Sequence, residues 1–161
     1  MTEEKSRDAD FNELIKDMFH AEEWKERAEA VRTLGFMQDG RVVNLMVKAL
    51  KKEKEFNVIN RLIEALGRIG NPKATRAILD KLKIEQGKDH PNKYRIIAII
   101  ESLMRIKDKR ALAYIGHFLN SNDDELKDLA KQAFDTIEPN WREILEKEKR
   151  EKNLEEIFGK I

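Results

Sequence analysis

Residues 64–83, which read EALGRIGNPKATRAILDKLK, constrain the fold more than any other stretch of the chain. Gly67 and Gly70 lie at a predicted helix end, where glycine adopts left-handed backbone at low cost. Asn71 is a predicted N-cap, and Pro72 occupies the first position of a second helix, where no N–H is needed. The stretch therefore predicts two helices joined by a tight turn. The first helix has an apolar face with three- and four-residue spacing, formed by Ile59, Leu62, Ile63, Leu66 and Ile69.

This helix pair recurs along the chain. One apolar column consists of Leu34, Leu66, Leu103 and Phe134, which are separated by 32, 37 and 31 residues. Repetition at such a period is typical of stacked helical repeats, in which no single pair buries its own apolar face. Further columns in the same register are Met37, Ile69, Ile106 and Ile137 for the first helices, Asp39, Asn71 and Asp108 for the N-caps, and Met46, Ile78 and Ile115 for the second helices.

The repeated unit resembles the HEAT-like repeat of the phycobilin-lyase type. Its best copy is ALGRIGNPKATRAIL, and looser copies are TLGFMQDGRVVNLMVKAL, SLMRIKDKRALAYIGHFL and DDELKDLAKQAFDTIEPNW. The resemblance implies an all-α fold, a right-handed α-solenoid of about four helix pairs with capping helices at both ends. It implies little about activity, because such repeats occur in scaffolds, enzyme subunits and lyases.

Composition narrows the classes of function. The chain has 161 residues, of which 39% are charged, and its net charge is only +1, so no global field favours nucleic acid or a membrane. The absence of cysteine excludes disulfides, thiolate metal sites and cysteine nucleophiles. No signal-peptide core or membrane-length apolar run is present, so we expect a cytoplasmic protein without a membrane partner. The richness in Lys and Glu resembles that of thermophile proteins.

Three segments are predicted. Residues 1–9 are polar and are expected to fray. Residues 10–145 form the repeat domain, with an N-terminal capping helix and with Trp141, Ile144 and Leu145 closing the core. Residues 146–161 form a charged helix with an apolar tip, which is predicted to fold back on the array or to dock a partner or a second copy of the chain. The tip consists of Leu154, Ile157, Phe158 and Ile161.

Positive charge is concentrated on the predicted second helices. Residues 40–52, 72–83 and 109–120 carry net charges of +4, +3 and +2, which leaves −8 for the rest of the chain. In the family that the chain resembles, second helices line the concave face, so this face is expected to be basic. Local stability is an alternative explanation, because cations suit helix C-termini. The candidate partner-binding residues on this face are Arg41, Lys48, Arg76, Asp80, Lys83, Arg110 and His117.

The sequence offers few catalytic or metal-binding groups. His20, His90 and His117 have no second ligand at metal-binding spacing, and no phosphate loop or nucleophile elbow is present. Repeat register places Lys48, Asp80 and His117 in equivalent positions. An acid–base pair of Asp80 and His117 is conceivable, but a solvated row of side chains is the favoured interpretation.

These observations predict a non-enzymatic scaffold that binds a protein partner on its concave face, without a cofactor or a metal. The main alternative is a nucleic-acid-binding module that uses the same basic face, with Tyr114 and Phe118 as the available aromatic residues. A second alternative, a lyase-like or accessory subunit of an enzyme, depends on the resemblance alone. Homodimerisation through the C-terminal helix is a further expectation.

Overall fold

The computed structural model describes the backbone of residues 2–158 and the side chains of residues 2–151. Within this range every regular element is a helix and there are no strands, which confirms the predicted all-α repeat fold. Short 3-10 turns precede α3, α5 and α7, and another follows α7. The α-helices are α1 (Glu3–His20), α2 (Trp24–Met37), α3 (Val43–Lys52), α4 (Phe56–Ile69), α5 (Thr75–Gln86), α6 (Lys93–Ile106), α7 (Leu112–Ile115), α8 (Asp124–Ile137) and α9 (Trp141–Phe158).

The helices form two layers. In the first layer α1, α2, α4, α6 and α8 each pack against the next, and behind them α3 packs on α4, α5 on α6 and the α7 segment on α8. A single core runs through the array because each unit buries its apolar face against its neighbour. Its fully buried side chains include the predicted column members Leu34, Leu66 and Leu103.

The turn between α4 and α5 is built largely as predicted. Gly70 has left-handed backbone, with φ of 76°. The Asn71 side chain accepts a hydrogen bond from the Lys73 backbone N–H at 3.0 Å. Gly67 differs from the prediction, because it lies inside α4 and faces α6. A Cβ built on Gly67 would lie 2.6 Å from Ser102 Cβ, so the missing side chain permits the close approach of these helices.

The N-terminal segment is largely helical. Residues 3–9 form the first turns of α1, which begins at Glu3, and the expected fraying of these turns stays a prediction. Glu3 and Glu4 lie in the first turn, where acidic side chains interact favourably with the helix dipole. All side chains from Thr2 to Asp10 are exposed, and the first buried residue is Phe11.

At the C-terminal end, Trp141 is the last described residue that packs against the core. Trp141 is half-buried, with its ring centre 5.1 Å from that of Phe134, but Ile144 and Leu145 remain 44% and 41% exposed and do not close the core. The helix that starts at Trp141 continues to Phe158 without a break at residue 146, and residues 142–151 are exposed throughout. The side chains of Leu154, Ile157 and Phe158, and Ile161 altogether, lie outside the described residues, so the docking stripe and the homodimer stay predictions.

The insertion before α6 is anchored by a buried carboxylate. Glu85 is only 2% exposed, and it accepts hydrogen bonds from Lys88 Nζ at 2.9 Å and from the Asn92 backbone N–H at 2.6 Å. Burial alone would raise the pKa of Glu85, but these hydrogen bonds hold it below its usual value. Arg95, also buried, donates to the Phe56 carbonyl at 3.1 Å. The extra residues are therefore fixed to the array at this point.

Candidate functional site

Two of the predicted partner-binding residues, Arg41 and Arg110, belong to the turns between helices. Asp108 accepts a hydrogen bond from the Arg110 backbone N–H at 3.0 Å and pairs with Arg110 Nη2 at 2.6 Å. Asp39 holds Arg41 in the same way, with an Nη2 to Oδ2 distance of 2.7 Å. Arg110 Nη2 also donates to the Pro72 carbonyl at 3.3 Å, which joins two successive units. A structural role in these turns therefore explains the presence of both arginines without a binding partner.

This turn predicts a pH dependence of stability. The Arg110 guanidinium lowers the pKa of Asp108 from 3.8 to about 2. A carboxyl group with a lowered folded-state pKa stabilises the fold above its unfolded pKa and loses that contribution as pH falls through the folded pKa. We expect Asp108→Asn to cost about 1 kcal/mol at pH 7, after allowance for screening of the exposed Arg110, and progressively less as the pH falls from about 4 towards 2.

Urea unfolding at pH 7, 4 and 2.5 measures this difference. Asparagine retains the oxygen that caps the turn, so the change in stability of this variant reports the loss of the negative charge and not the loss of the cap. Asp128→Asn on the exposed surface of α8 is the matched control. A cost for Asp108→Asn that does not shrink at low pH would contradict the assignment.

A groove lies between α5 and the third unit, on the side of the array formed by the second helices, here called the second-helix face. Its volume is about 220 Å³. Arg76, Asp80 and Lys83 line one wall from a single face of α5, since they are four and three residues apart. Arg110 and Tyr114 line the other wall, and Thr75 and Leu79 complete the groove.

Charge in the groove is only partly compensated. Among the residues with described side chains, no ion pair involves Arg76, Asp80 or Lys83. Lys83 Nζ instead lies 5.2 Å from the centre of the Tyr114 ring, within range of a cation–π interaction. The groove thus presents two cations that form no ion pair with a described side chain, on either side of one carboxylate, with an aromatic ring opposite.

The structure does not bring the remaining predicted residues into this groove. Lys48 is exposed on α3, outside its lining. His117 lies in the 3-10 segment after α7 and packs edge-on against Phe118, with ring centres 5.3 Å apart. Because α7 gives way to a 3-10 turn, with three residues per turn, repeat register no longer places His117 beside Asp80. No hydrogen bond joins these two side chains, and the conceivable acid–base pair is not assembled within the described residues.

Sequence reasoning missed a second basic cluster, on the layer of first helices. Phe36 is 54% exposed, and the centre of its ring lies 4.0 Å from the Arg68 guanidinium carbon and 5.2 Å from that of Arg32. Phe36 and Arg68 occupy equivalent positions 32 residues apart, so the repeat register could have predicted that they are neighbours on successive first helices. Both guanidinium groups lie within cation–π range of this exposed ring.

Neither a metal-binding cluster nor a membrane-spanning helix is present in the part of the chain that the structure describes. No group of three His, Asp or Glu side chains there is arranged to hold a metal ion. None of the described helices is both long and apolar enough to cross a membrane.

Comparison with known proteins identifies the repeats. Residues 11–89 match the family model described as HEAT repeats, which covers the chain from the middle of α1 to the insertion after α5. No curated protein matches the chain. The match includes the α5 wall of the groove and ends before the wall formed by Arg110 and Tyr114. It does not identify the phycobilin-lyase type that the repeat resembles.

Proposed function

Because the chain is a HEAT-like repeat protein, we propose that it is a non-enzymatic module that binds a protein partner through its second-helix face. HEAT repeats generally serve as protein-interaction scaffolds, and stacked repeats create extended binding surfaces. The observation that carries the proposal is the groove between α5 and the third unit, where Arg76 and Lys83 have no ion-pair partner among the described side chains. Exposed cations of this kind suit a complementary, acidic partner surface.

The absence of catalysis is part of this proposal. Asp80 is the one carboxylate lining the groove, where it stands between cations, and His117 lies outside. A general acid or base must lie within hydrogen-bond reach of the proton that it transfers, and the conceivable acid–base pair would need His117 in the groove as well. The lining supports recognition of charge better than proton transfer.

Nucleic-acid binding is a second candidate, favoured by one observation. The Tyr114 ring, 37% exposed, lies beside Lys83 and opposite Arg76, and an aromatic ring among cations is typical of single-strand binding. Such binding would weaken steeply with salt, because phosphate contacts release counterions.

We expect Arg76→Glu/Lys83→Glu to weaken partner binding by about 100-fold, because hydrogen bonds to charged groups contribute about 1.5–3 kcal/mol each. The matched control is Lys5→Glu/Lys16→Glu, which makes the same charge change at exposed sites on α1. Lysate of the native host is passed over wild type and both variants, with and without nuclease. The captured protein is then purified, and its affinity for each is measured by calorimetry.

The outcomes separate the candidates. A discrete protein lost only from the groove variant, with the expected change in affinity, supports the proposal. Loss of nuclease-sensitive material alone favours the second candidate. Identical capture by all three proteins would exclude the groove and assign the charge pattern to local stability.

A further inference from the structure

We propose that the groove recognises an acidic segment of a partner protein that presents two carboxylates about 10 Å apart, with a hydrogen-bond donor or a cation between them. This inference rests on the proposed function and names the chemistry of its partner. It derives from the order of charges along α5 and from the groups that face them.

The spacing follows from helix geometry. Arg76 and Lys83 are seven residues apart on α5, which at 1.5 Å per residue separates their backbones by about 10 Å. Seven residues are nearly two full turns, so both side chains project from the same face, with Asp80 between them. The charges along this wall are therefore positive at Arg76, negative at Asp80 and positive at Lys83. A complementary partner surface carries negative, positive and negative groups in the same order.

The two cations differ in how far they are preorganised. Lys83 lies over the Tyr114 ring, 5.2 Å from Nζ to the ring centre, which restricts its long side chain before a ligand arrives. A side chain already held in place loses less entropy on binding. Arg76 is exposed, without an ion pair among the described side chains, and its planar guanidinium can bind a carboxylate through two hydrogen bonds. We therefore place one carboxylate of the partner at each end of the wall.

The third cation of the groove contributes less. The Arg110 guanidinium is held by both oxygens of Asp108 and donates to the Pro72 carbonyl. A ligand at Arg110 would meet a charge that Asp108 largely compensates. The charge available to the partner thus comes from α5, and the opposite wall supplies the partly exposed Tyr114 ring as an apolar contact.

This arrangement favours a protein over nucleic acid. Asp80 stands between the two cations and would repel a continuous phosphate backbone, whereas it can accept a hydrogen bond from a peptide amide, lysine or arginine. Two uncompensated cations would release few counterions, and the net charge of +1 supplies no wider attraction for phosphate.

A display selection tests the inference directly. Random 12-residue peptides are selected on the full chain and counter-selected on Arg76→Glu/Lys83→Glu. We expect enrichment of peptides with acids three residues apart in a polyproline II conformation or seven apart in a helix, because both place the acids on one side about 10 Å apart, with Lys, Arg, Asn or Gln between them. The variant Arg76→Glu/Asp80→Lys/Lys83→Glu inverts every charge of the wall, and it should select the inverted motif, basic, acidic, basic. Circular dichroism checks that each variant is folded.

The result separates the two proposals. Acidic peptides from wild type and inverted peptides from the triple variant support the inference. Peptides without acids that still require Arg76 and Lys83 would overturn the inference and leave the proposed function in place. Acidic peptides that the triple variant also selects, or no enrichment at all, would overturn the inference, and the capture experiment would then decide the proposed function separately. If no peptide is enriched but a fluorescent dT20 oligonucleotide binds the chain, the partner of the groove would be a nucleic acid and not a protein.

Discussion

Replacement of Leu103 by alanine is expected to lower the free energy of unfolding by about 3–5 kcal/mol. The Leu103 side chain is fully buried on α6, in the column that also contains Leu34 and Leu66. Truncation removes buried methyl groups and leaves a cavity, because α4 and α8 on either side are held by their own contacts and cannot collapse into it. For a chain of this size the midpoint of thermal unfolding should fall by about 10 °C.

Leu145→Ala is the matched control, because it removes the same atoms from a side chain that is 41% exposed on α9. Its cost should stay below about 1 kcal/mol. Urea and thermal unfolding of both variants measure the difference. Similar losses for Leu103 and Leu145 would contradict either the buried column or the exposed position of α9.

Replacement of Gly67 by alanine is expected to destabilise the protein by about 2–3 kcal/mol, although alanine is the better helix former by about 1 kcal/mol. The added Cβ would lie 2.6 Å from Ser102 Cβ and 2.7 Å from Ser102 Cα. A backbone atom cannot rotate away, so α4 and α6 must separate. Separation also stretches the 2.9 Å hydrogen bond from the Ser102 hydroxyl to the Ile63 carbonyl.

Gly40→Ala provides the comparison for this substitution. A Cβ at Gly40 has no atom within 4 Å, so the same chemical change there should be neutral within about 0.5 kcal/mol. The double variant Gly67→Ala/Ser102→Gly removes the neighbouring side chain and should recover part of the lost stability. A neutral or stabilising effect of Gly67→Ala alone would show that the two helices do not approach as closely as described.

The repeat register explains why the fold could be predicted. Stacked units impose the same environment at the same position, so Leu34, Leu66 and Leu103 are buried for one shared reason that a single sequence displays. The turns could be predicted because they depend on interactions between residues that are close in sequence. Asn71 caps the backbone two residues away, and Gly70 adopts the left-handed conformation that a helix end favours.

The features that could not be predicted depend on long-range contacts. Gly67 carries the same local signal as Gly70, and only the approach of α6 distinguishes a packing glycine from a turn glycine. The partners of Glu85 lie in an insertion that has no counterpart in the other units. The repeat register also could not predict that α7, the second helix of the third unit, ends at Ile115. His117 therefore lies in a 3-10 segment and not in the predicted row with Lys48 and Asp80.

The candidate residues named from the sequence fall into separate groups in the structure. Arg76, Asp80, Lys83 and Arg110 line one groove, whereas Arg41 is held in a different turn by Asp39. Charge counts cannot separate a cation held by a neighbouring carboxylate from an uncompensated one. That distinction needs the side-chain geometry.

The contact between Gly67 and Ser102 also has a mechanical consequence. The walls of the groove belong to successive units, whose first helices touch at this contact in the opposite layer. Any change in the angle between these helices would change the distance between the groove walls, which the hydrogen bond from Arg110 to the Pro72 carbonyl also links. A ligand that bridges Arg76 and Tyr114 would add a second link and restrict such a change. Occupancy of one small groove would then stiffen the array between its second and third units.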